Sequence, residues 1–377
     1  MSDFSRLVPE YIRTLAAYTP GKPVRQAERE SGVRSIKMAS NENPFGPSPR
    51  AIAAICKAAE EANFYPDNDT SELRLKLAEL HRIAPDQIVV TAGSTELLNA
   101  MARTLLSAGV NALTSELSFI MYPIVTKAAG GTLIEAPMRN RTFDLDAIAS
   151  AIDKNTRLIY LANPNNPTGT MFDAPTLDRF LARVPDHVVV ALDEAYYDFA
   201  QFFGAQRRVE YSHSLDYVRE GRKLVVLRTF SKAHGLAGAR VGYGLGPAEL
   251  ITYLSRVRTT FSVSSIAQAA AVAALDDQDH IRKAVDNNAS GAAYLSAAIS
   301  EMGFRVLPTW ANFLYVELGE DAAAFSKRLE AEGIIIRPLG PWGAPDAIRV
   351  TIGTPEQNRK FVSAFRKVME KIPVAGR

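Results

Sequence analysis

The sequence has little that would support a disulfide, a metal site or a membrane span. Cys56 is the only cysteine, so no disulfide can form within the chain, and the five histidines are scattered without the spacing of a zinc site. No run of 18 apolar residues occurs, and the first residues lack the apolar core of a secretory signal. We therefore expect a cytoplasmic protein with no metal centre.

An excess of charge of one sign is also absent. The 377 residues include 43 Lys and Arg against 41 Asp and Glu, which gives a net charge of +2. Nucleic acid and anionic membranes bind strongly basic surfaces, so neither is an expected partner. A hydrophobic content of 47% and a charged content of 22% are typical of a globular enzyme.

The order of apolar patterns predicts an α/β protein. From about residue 50 to residue 275, short apolar runs alternate with helical patterns, which indicates a mainly parallel sheet flanked by helices. We predict an amino-terminal arm over residues 1–45, a large domain over 46–275 and a smaller α+β domain over 276–377. We expect the arm to pack with the small domain, which would then draw on both ends of the chain.

Three polar motifs each follow an apolar run that predicts a buried strand. They are Asn-Pro-Asn-Asn-Pro-Thr-Gly at 163–169, Asp-Glu-Ala-Tyr at 193–196 and Thr-Phe-Ser-Lys at 229–232. Ligands of open α/β sheets bind at the carboxyl ends of the strands. The sequence therefore predicts that an amide, a carboxylate and an amine meet at one edge of the sheet.

These groups match the needs of pyridoxal phosphate. That cofactor requires an amine for a Schiff base, an anion beside its ring nitrogen, donors to its phenolic oxygen and an aromatic ring against its face. Lys232 is the candidate amine and Asp193 the candidate anion. Asn166 and Tyr196 are the candidate donors, and Phe119 is the candidate stacking ring.

A phosphate site is predicted where residues 92–96 join a strand to an amphipathic helix. Ser94 and Thr95 lie at that helix N-terminus, where backbone N–H groups favour anions, and Ser231 and Arg240 are expected to complete the site. Each candidate could instead be a helix cap, a core residue or half of a salt bridge. The glycines at 242–246 do not form a dinucleotide fingerprint because their spacing is wrong.

The motifs together resemble those of the fold-type I, class I and II aminotransferases, and within them the histidinol-phosphate aminotransferase family. The resemblance covers nearly the whole chain. The segments that carry it lie at residues 18–23, 40–44, 65–67, 163–169, 193–196, 229–232, 311–314, 337–339 and 348–354.

The resemblance implies a homodimer with shared active sites, in which Tyr65 reaches the cofactor phosphate of the neighbouring subunit. It also implies that Arg349 binds the carboxylate of the amino donor, and that Arg337 and Tyr18 lie near the substrate's side chain or phosphate. The implied reaction transfers an amino group between glutamate and imidazole-acetol phosphate, giving 2-oxoglutarate and histidinol phosphate. Lys232 would then act as the base that moves the substrate's proton.

Five residues depart from the family's pattern and could affect the choice of substrate: Phe119, His234, Thr260, Ser262 and Trp342. An aromatic amino acid aminotransferase therefore stays open as an alternative, and a decarboxylase of a phosphorylated amino acid is a further one. A sensor domain of a transcription regulator is disfavoured, because the arm is too short to contain a DNA-binding domain.

Overall fold

The computed structural model describes residues 4–17 and 21–370. Tyr18, one of the predicted substrate-binding residues, lies outside these ranges. The α-helices of the described residues are α1 (Glu10–Arg13), α2 (Val24–Ser31), α3 (Pro49–Ala59), α4 (Ser71–His81), α5 (Ser94–Leu105), α6 (Met121–Ala128), α7 (Leu145–Ser150), α8 (Ala174–Leu181), α9 (Tyr197–Arg207), α10 (Ser214–Arg219), α11 (Ala248–Val257), α12 (Ser265–Leu275), α13 (Gln278–Glu301), α14 (Ala322–Ala331) and α15 (Pro355–Glu370).

The strands are short, and most consist of Val, Ile, Leu, Ala and Thr. They are β1 (Ile36–Lys37), β2 (Ile88–Thr91), β3 (Asn111–Ser115), β4 (Thr132–Ala136), β5 (Met138–Arg139), β6 (Thr142–Phe143), β7 (Thr156–Ala162), β8 (Val189–Asp193), β9 (Leu224–Thr229), β10 (Gly242–Leu245), β11 (Arg305–Val306), β12 (Phe313–Glu317), β13 (Ile334–Ile335), β14 (Arg337–Leu339) and β15 (Ala344–Thr351).

A seven-stranded sheet forms the centre of the larger part of the molecule. Its strand order is β2-β10-β9-β8-β7-β3-β4, and β10 pairs antiparallel with both of its neighbours while the other pairs are parallel. The central strands are buried along almost their whole length, as expected for a sheet with helices on both faces. The predicted α/β class and mainly parallel sheet are confirmed.

The sequence placed the last strand of this sheet too early. The apolar run at residues 239–243 predicts a strand there, whereas β10 covers Gly242–Leu245. Residues 239–241 lie in the turn and loop that precede β10, where Arg240 has a left-handed backbone with φ 58°. An apolar pattern does not reveal such a turn, because Ala239 and Val241 would suit a strand equally well.

The carboxyl ends of three adjacent parallel strands carry the three polar motifs. β7 ends at Ala162, immediately before the Asn-Pro motif, and β9 ends at Thr229, three residues before Lys232. Asp193 is the last residue of β8 and pairs in register with Ala162, so it lies within the strand and not after it as expected. The three motifs therefore meet at one edge of the sheet.

A second, four-stranded antiparallel sheet has the order β11-β12-β15-β14. Phe325, Phe361 and Phe365, from α14 and α15, are fully buried in the core that covers one face of this sheet. In the hairpin of β14 and β15, Arg337 lies directly opposite Arg349. The sequence patterns had indicated β12 and β15 of this sheet but neither β11 nor that pairing.

The amino-terminal segment returns to the second sheet. β1 pairs in parallel with β13, and the backbone N–H of Thr351 donates to the carbonyl of Met38 over 2.8 Å. The N–H of Asn41 donates to the Thr351 hydroxyl over 2.9 Å. Residues 36–41 are thereby held beside the carboxyl-terminal strands. The division into three segments drawn from the sequence stays a prediction.

Candidate active site

A cavity of about 470 Å³ opens between the carboxyl edge of the large sheet and the β14–β15 hairpin. Most of the residues predicted for the site line it: Ser94, Thr95, Phe119, Asn166, Asp193, Tyr196, Ser231, Lys232, Arg240, Arg337 and Arg349. Among its described lining residues, four cationic side chains face two carboxylates, Glu42 and Asp193. The cavity therefore favours an anionic ligand.

Lys232 presents a partly buried amine to this cavity. Its Nζ lies 3.3 Å from the carbonyl oxygen of Ser40, to which it donates, and 5.5 Å from the centre of the Tyr196 ring. Burial, with the nearby positive charge of Arg349, lowers the pKa of this amine to about 8. A lysine with such a pKa is partly neutral near physiological pH, as a nucleophile or general base must be.

Asp193 is buried at the end of β8 and accepts two hydrogen bonds. The hydroxyl of Tyr122 donates to its Oδ2 over 3.1 Å, and the N–H of Ala195 donates to its Oδ1 over 3.2 Å. Burial raises the pKa of Asp193 to about 6, while the Tyr122 hydrogen bond opposes that rise. A cation placed beside this carboxylate would favour its ionised form.

Two contacts of this part of the site were not found from the sequence. Tyr122 lies in the first turn of α6, and its ring stacks on Tyr160 with 4.7 Å between centroids. Asn41, which has a left-handed backbone, donates through its Nδ2 to the Tyr196 hydroxyl over 2.9 Å. The second contact joins residues 155 positions apart, and no local pattern could have indicated it.

The phosphate end of the cavity is built around the N-terminus of α5. Gly93 precedes Ser94 with φ 77°, a left-handed conformation that favours glycine, and Nη2 of Arg240 lies 2.3 Å from the position that a Cβ would take. The Nη1 of Arg240 donates to the Ser231 hydroxyl over 3.4 Å and to the Ala237 carbonyl over 3.1 Å. A guanidinium, hydroxyls and a helix N-terminus thus surround one position, as a phosphate requires.

Two arginines form the opposite side of the cavity. Arg349 donates through Nη1 to Oδ1 of Asn166 over 2.5 Å and through Nη2 to the carbonyl of Ala39 over 2.6 Å. The guanidinium of Arg337 lies 4.9 Å from the centre of the Trp342 ring. Because Arg337 and Arg349 are opposite each other on paired strands, their like charges repel, and an anion bound between them would relieve that repulsion.

Comparison with known proteins agrees with this geometry. Residues 33–365 match the family model for aminotransferases of class I and II. This chain belongs to the class I and II aminotransferases. The resemblance drawn from its motifs is confirmed.

Similar aminotransferases match almost the full length of the chain. Histidinol-phosphate aminotransferase 2 of Pseudomonas fluorescens is 43% identical over 98% of this chain and 99% of its own length. The histidinol-phosphate aminotransferase of Akkermansia muciniphila is 40% identical over 96% of this chain and 98% of its own. A crystal structure of histidinol-phosphate aminotransferase from Sinorhizobium meliloti, in complex with pyridoxal-5'-phosphate, has a TM-score of 0.88 and 29% identity, covering 99% of this chain and 100% of that one.

Aminotransferases of this family use pyridoxal phosphate, and the residues of the cavity fit it. Lys232 provides an amine of lowered pKa, and the buried Asp193 provides a carboxylate for a protonated ring nitrogen. The close approach of Arg240 to Gly93 leaves a cationic position at the N-terminus of α5 for the phosphate group. Among residues 4–17 and 21–370, no cluster of metal-ligating side chains occurs and no helix has the length and apolar character to cross a membrane.

Tyr65 does not line the cavity of this aminotransferase. Its side chain is 84% exposed and stacks on Phe261, with 4.8 Å between ring centroids. Phe261 lies in a tight turn with φ 55°, which the N–H of Phe261 fixes by donating to the side chain of Asn68 over 2.9 Å. The two aromatic rings form an exposed patch on the surface.

The five departures from the family pattern separate into two groups in this aminotransferase. Phe119 and Trp342 line the cavity, whereas Thr260 is exposed and Ser262 donates its hydroxyl to Glu96 over 2.8 Å. The ring of His234 packs 4.8 Å from that of Phe230, behind the cavity, and burial lowers its pKa. Phe119 and Trp342 are therefore the departures placed to contact a substrate directly.

A buried ion pair supports the aminotransferase site from behind. Arg228 of β9 donates through Nε and Nη2 to Oε2 of Glu194, over 3.0 Å and 2.8 Å. The guanidinium also lies 3.4 Å from the centre of the Tyr197 ring. Glu194 directly follows Asp193, so the pair ties the end of β8 to β9, four residues before Lys232. No sequence pattern had indicated this pair.

Proposed function

We propose that this aminotransferase interconverts histidinol phosphate and imidazole-acetol phosphate, with glutamate and 2-oxoglutarate as the other pair of substrates. Relatives that match nearly the whole chain at 40% and 43% identity are named histidinol-phosphate aminotransferases. The observation that carries the proposal is that the arginine pair, Arg337 and Arg349, lines the same cavity as the amine of Lys232.

The arginine pair suits both proposed donors. Glutamate carries a carboxylate beside its reacting carbon, and histidinol phosphate carries a phosphate ester in the corresponding region. Guanidinium groups bind carboxylate and phosphate through two parallel hydrogen bonds. Arg349 is already oriented by Asn166 and Ala39, so little side-chain freedom would be lost when the anion binds.

The residues of the cavity then have distinct roles. Bound pyridoxal phosphate would withdraw electrons from the substrate carbon that carries the amino group and so make its proton acidic. Lys232 would bind the cofactor's aldehyde carbon and, once displaced by the substrate's amine, would transfer that proton. Asp193 would hold a proton on the ring nitrogen, while Asn166 and Tyr196 would donate to the phenolic oxygen.

The remaining residues would hold the cofactor in place. Phe119 would pack against its ring, where its own ring is fixed edge-on to Tyr122 at 5.6 Å. Ser94, Thr95, Ser231 and Arg240 would bind its phosphate.

The proposal also includes the division into three segments and the cytoplasmic location that are expected from the sequence.

We also propose that the protein is a homodimer in which Tyr65 completes the partner's phosphate site. Its support is the exposed pair of Tyr65 and Phe261, since exposed apolar patches commonly mark protein interfaces. Subunit mixing tests this proposal. If Tyr65→Phe and Lys232→Ala subunits are mixed, shared sites predict an activity that departs from the average of the two parents, whereas separate sites predict that average.

A panel of half-reactions tests the substrate. The holoenzyme is mixed with one donor at a time, and kcat/KM is followed from the change in cofactor absorbance. We expect histidinol phosphate and glutamate to be the efficient donors. A far higher kcat/KM for phenylalanine or tyrosine than for histidinol phosphate would assign the protein to the aromatic amino acid aminotransferases. Release of carbon dioxide from a phosphorylated amino acid would indicate a decarboxylase instead.

A further inference from the structure

A second cavity lies next to the substrate cavity and shares two lining side chains with it. This side pocket has a volume of about 330 Å³, against about 470 Å³ for the substrate cavity. Phe119 and Trp342 line both cavities, and they are the described residues common to the two. Phe119 belongs to the proposed cofactor site, so Trp342 is the part of this partition that can be changed without removing a cofactor contact.

Trp342 is held in place by the turn that carries it and by the arginines behind it. It ends the 3₁₀ turn Gly340–Trp342 between β14 and β15, and Gly343 follows with φ 84°. The guanidiniums of Arg337 and Arg349 lie 4.9 Å and 6.0 Å from the centre of its ring. Its indole Nε1 is buried and has no hydrogen-bond partner among the described residues. Packing and cation–π contacts therefore hold the Trp342 ring at its position between the two cavities.

The side pocket differs from the substrate cavity in charge. Its hydroxyl groups already donate within the protein, Ser115 to the carbonyl of Ala136 over 3.1 Å and Ser118 to the side chain of Asn165 over 2.8 Å. Glu135 lines the pocket, and burial and the nearby charge of Glu116 raise its pKa. No cationic side chain is among the described residues that line it. The pocket thus has room for an uncharged group and disfavours an anionic one.

We propose that Trp342 is a specificity-determining residue: its indole closes the substrate cavity against the side pocket and so sets the largest side chain that an amino donor can have. This inference rests on the proposed function, since it treats the same cavity as the substrate site. A wall of this kind rejects a larger substrate by steric exclusion, whereas the arginine pair selects by charge. The excluded class is amino donors with large uncharged side chains, for which tryptophan serves as the probe.

Replacing Trp342 by Ala tests the proposal through a gain of activity. In holoenzyme half-reactions, we expect kcat/KM for tryptophan to rise about 10- to 100-fold over wild type, the range that a difference in fit to an apolar pocket commonly gives. Trp342→Phe, which keeps an aromatic ring, should stay near wild type. The dissociation constant of indole-3-propionate, which has no amino group and cannot react, should fall by a similar factor in Trp342→Ala when measured by calorimetry.

Controls separate this effect from general damage. Trp310→Ala removes the chain's other tryptophan, which packs against Arg207 outside the cavity, and should leave kcat/KM for tryptophan unchanged. Cofactor absorbance and melting temperature report whether each variant folds. If Trp342→Ala does not fold, Trp342→Leu serves as a second variant with a smaller side chain.

Three results would overturn the proposal. The first is an unchanged kcat/KM for tryptophan in a folded truncation variant, and the second is a wild-type enzyme that uses tryptophan as well as phenylalanine. The third is a change confined to a lower kcat/KM for glutamate, which would follow from loosening Arg337 alone. Failure of the wild-type enzyme to use histidinol phosphate would refute the proposed function. The measurements with tryptophan would still test the role of Trp342.

Discussion

Two sides of the same cavity are built in different ways. One side, the cofactor floor, consists of Asn166, Asp193 and Lys232 at the carboxyl ends of β7, β8 and β9. The other side, the substrate wall, consists of Arg337, Trp342 and Arg349 on the β14–β15 hairpin. The floor belongs to a buried parallel sheet, whereas the wall belongs to a hairpin in a separate antiparallel sheet.

This difference suggests a division of labour. The floor holds groups that any amino donor would need, because the cofactor's amine, carboxylate and amide partners are the same for every substrate. The wall holds the groups that would contact the variable part of the donor. Changes in the floor should therefore alter cofactor binding together with the rate, whereas changes in the wall should alter kcat/KM for one or all donors while cofactor absorbance stays the same.

The largest effect is expected from Lys232→Ala, in the floor. Loss of the covalent attachment and of the general base should reduce kcat with every donor by about 100- to 10,000-fold, the range attributed to general acid–base catalysis. Borohydride treatment followed by mass spectrometry should find no cofactor fixed to the variant. Lys223→Ala is the matched control, because Lys223 is exposed and pairs with Asp186 away from the cavity. A variant that kept both adduct and turnover would contradict the role assigned to Lys232.

A large loss of stability is expected from Glu194→Gln, beneath the floor. Glu194 is fully buried and Arg228 is 6% exposed, so the variant leaves a buried guanidinium without its counter-charge. Breaking one side of such a pair typically costs about 3–5 kcal/mol. The free energy of unfolding in urea measures the loss. Glu220→Gln, which breaks the exposed pair with Arg222, should cost less than about 1 kcal/mol. Equal losses in the two variants would show that the buried pair does not support the floor.

The floor could be predicted largely from local sequence, and the wall could not. Asp193 and Lys232 each lie within three residues of the end of an apolar strand, and parallel strands bring such positions together. The pairing of Arg337 with Arg349 depends on the register of a hairpin that also contains a bulge at Pro338 and Leu339. The sequence identified both arginines only through a family resemblance, and their roles stay predictions.

Contacts between distant segments were also beyond sequence reasoning. Asn41 reaches Tyr196 because the amino-terminal segment pairs with β13, and the ion pair of Glu194 and Arg228 requires β8 and β9 to be neighbours. Neither partner of these contacts carries a periodic signal of its own. Tyr65 illustrates the same limit. Its side chain is exposed in the single chain, and its proposed role requires a second chain.

A smaller effect, confined to substrate use, is expected from conservative changes in the wall. Arg349→Lys keeps the charge but loses the paired hydrogen bonds of the guanidinium, so kcat/KM should fall about 10- to 100-fold with all donors. Arg337→Lys should affect histidinol phosphate, whose phosphate the arginine pair would bind, more than alanine, whose single carboxylate is assigned to Arg349. Arg305→Lys, at an exposed pair with Glu317, is the control. Altered cofactor absorbance in the Arg349 variant would contradict the separation of wall and floor.

The smallest effect is expected from Tyr122→Phe, and it is best seen in the pH dependence of stability. In the folded, cofactor-free protein burial raises the pKa of Asp193 from 3.8 to about 6, so the folded state binds more protons than the unfolded state between these values. Stability contributed by Asp193 is therefore present at low pH and lost as pH rises through about 6. The Tyr122 hydroxyl lowers the pKa of Asp193, so Tyr122→Phe should extend the loss of stability to higher pH.

Unfolding midpoints in urea, measured between about pH 4 and pH 8, test this shift. Tyr160→Phe is the control, because the Tyr160 hydroxyl pairs with Thr126 and not with Asp193. Identical pH profiles for the two variants would mean that the Tyr122 hydrogen bond does not tune the floor's carboxylate.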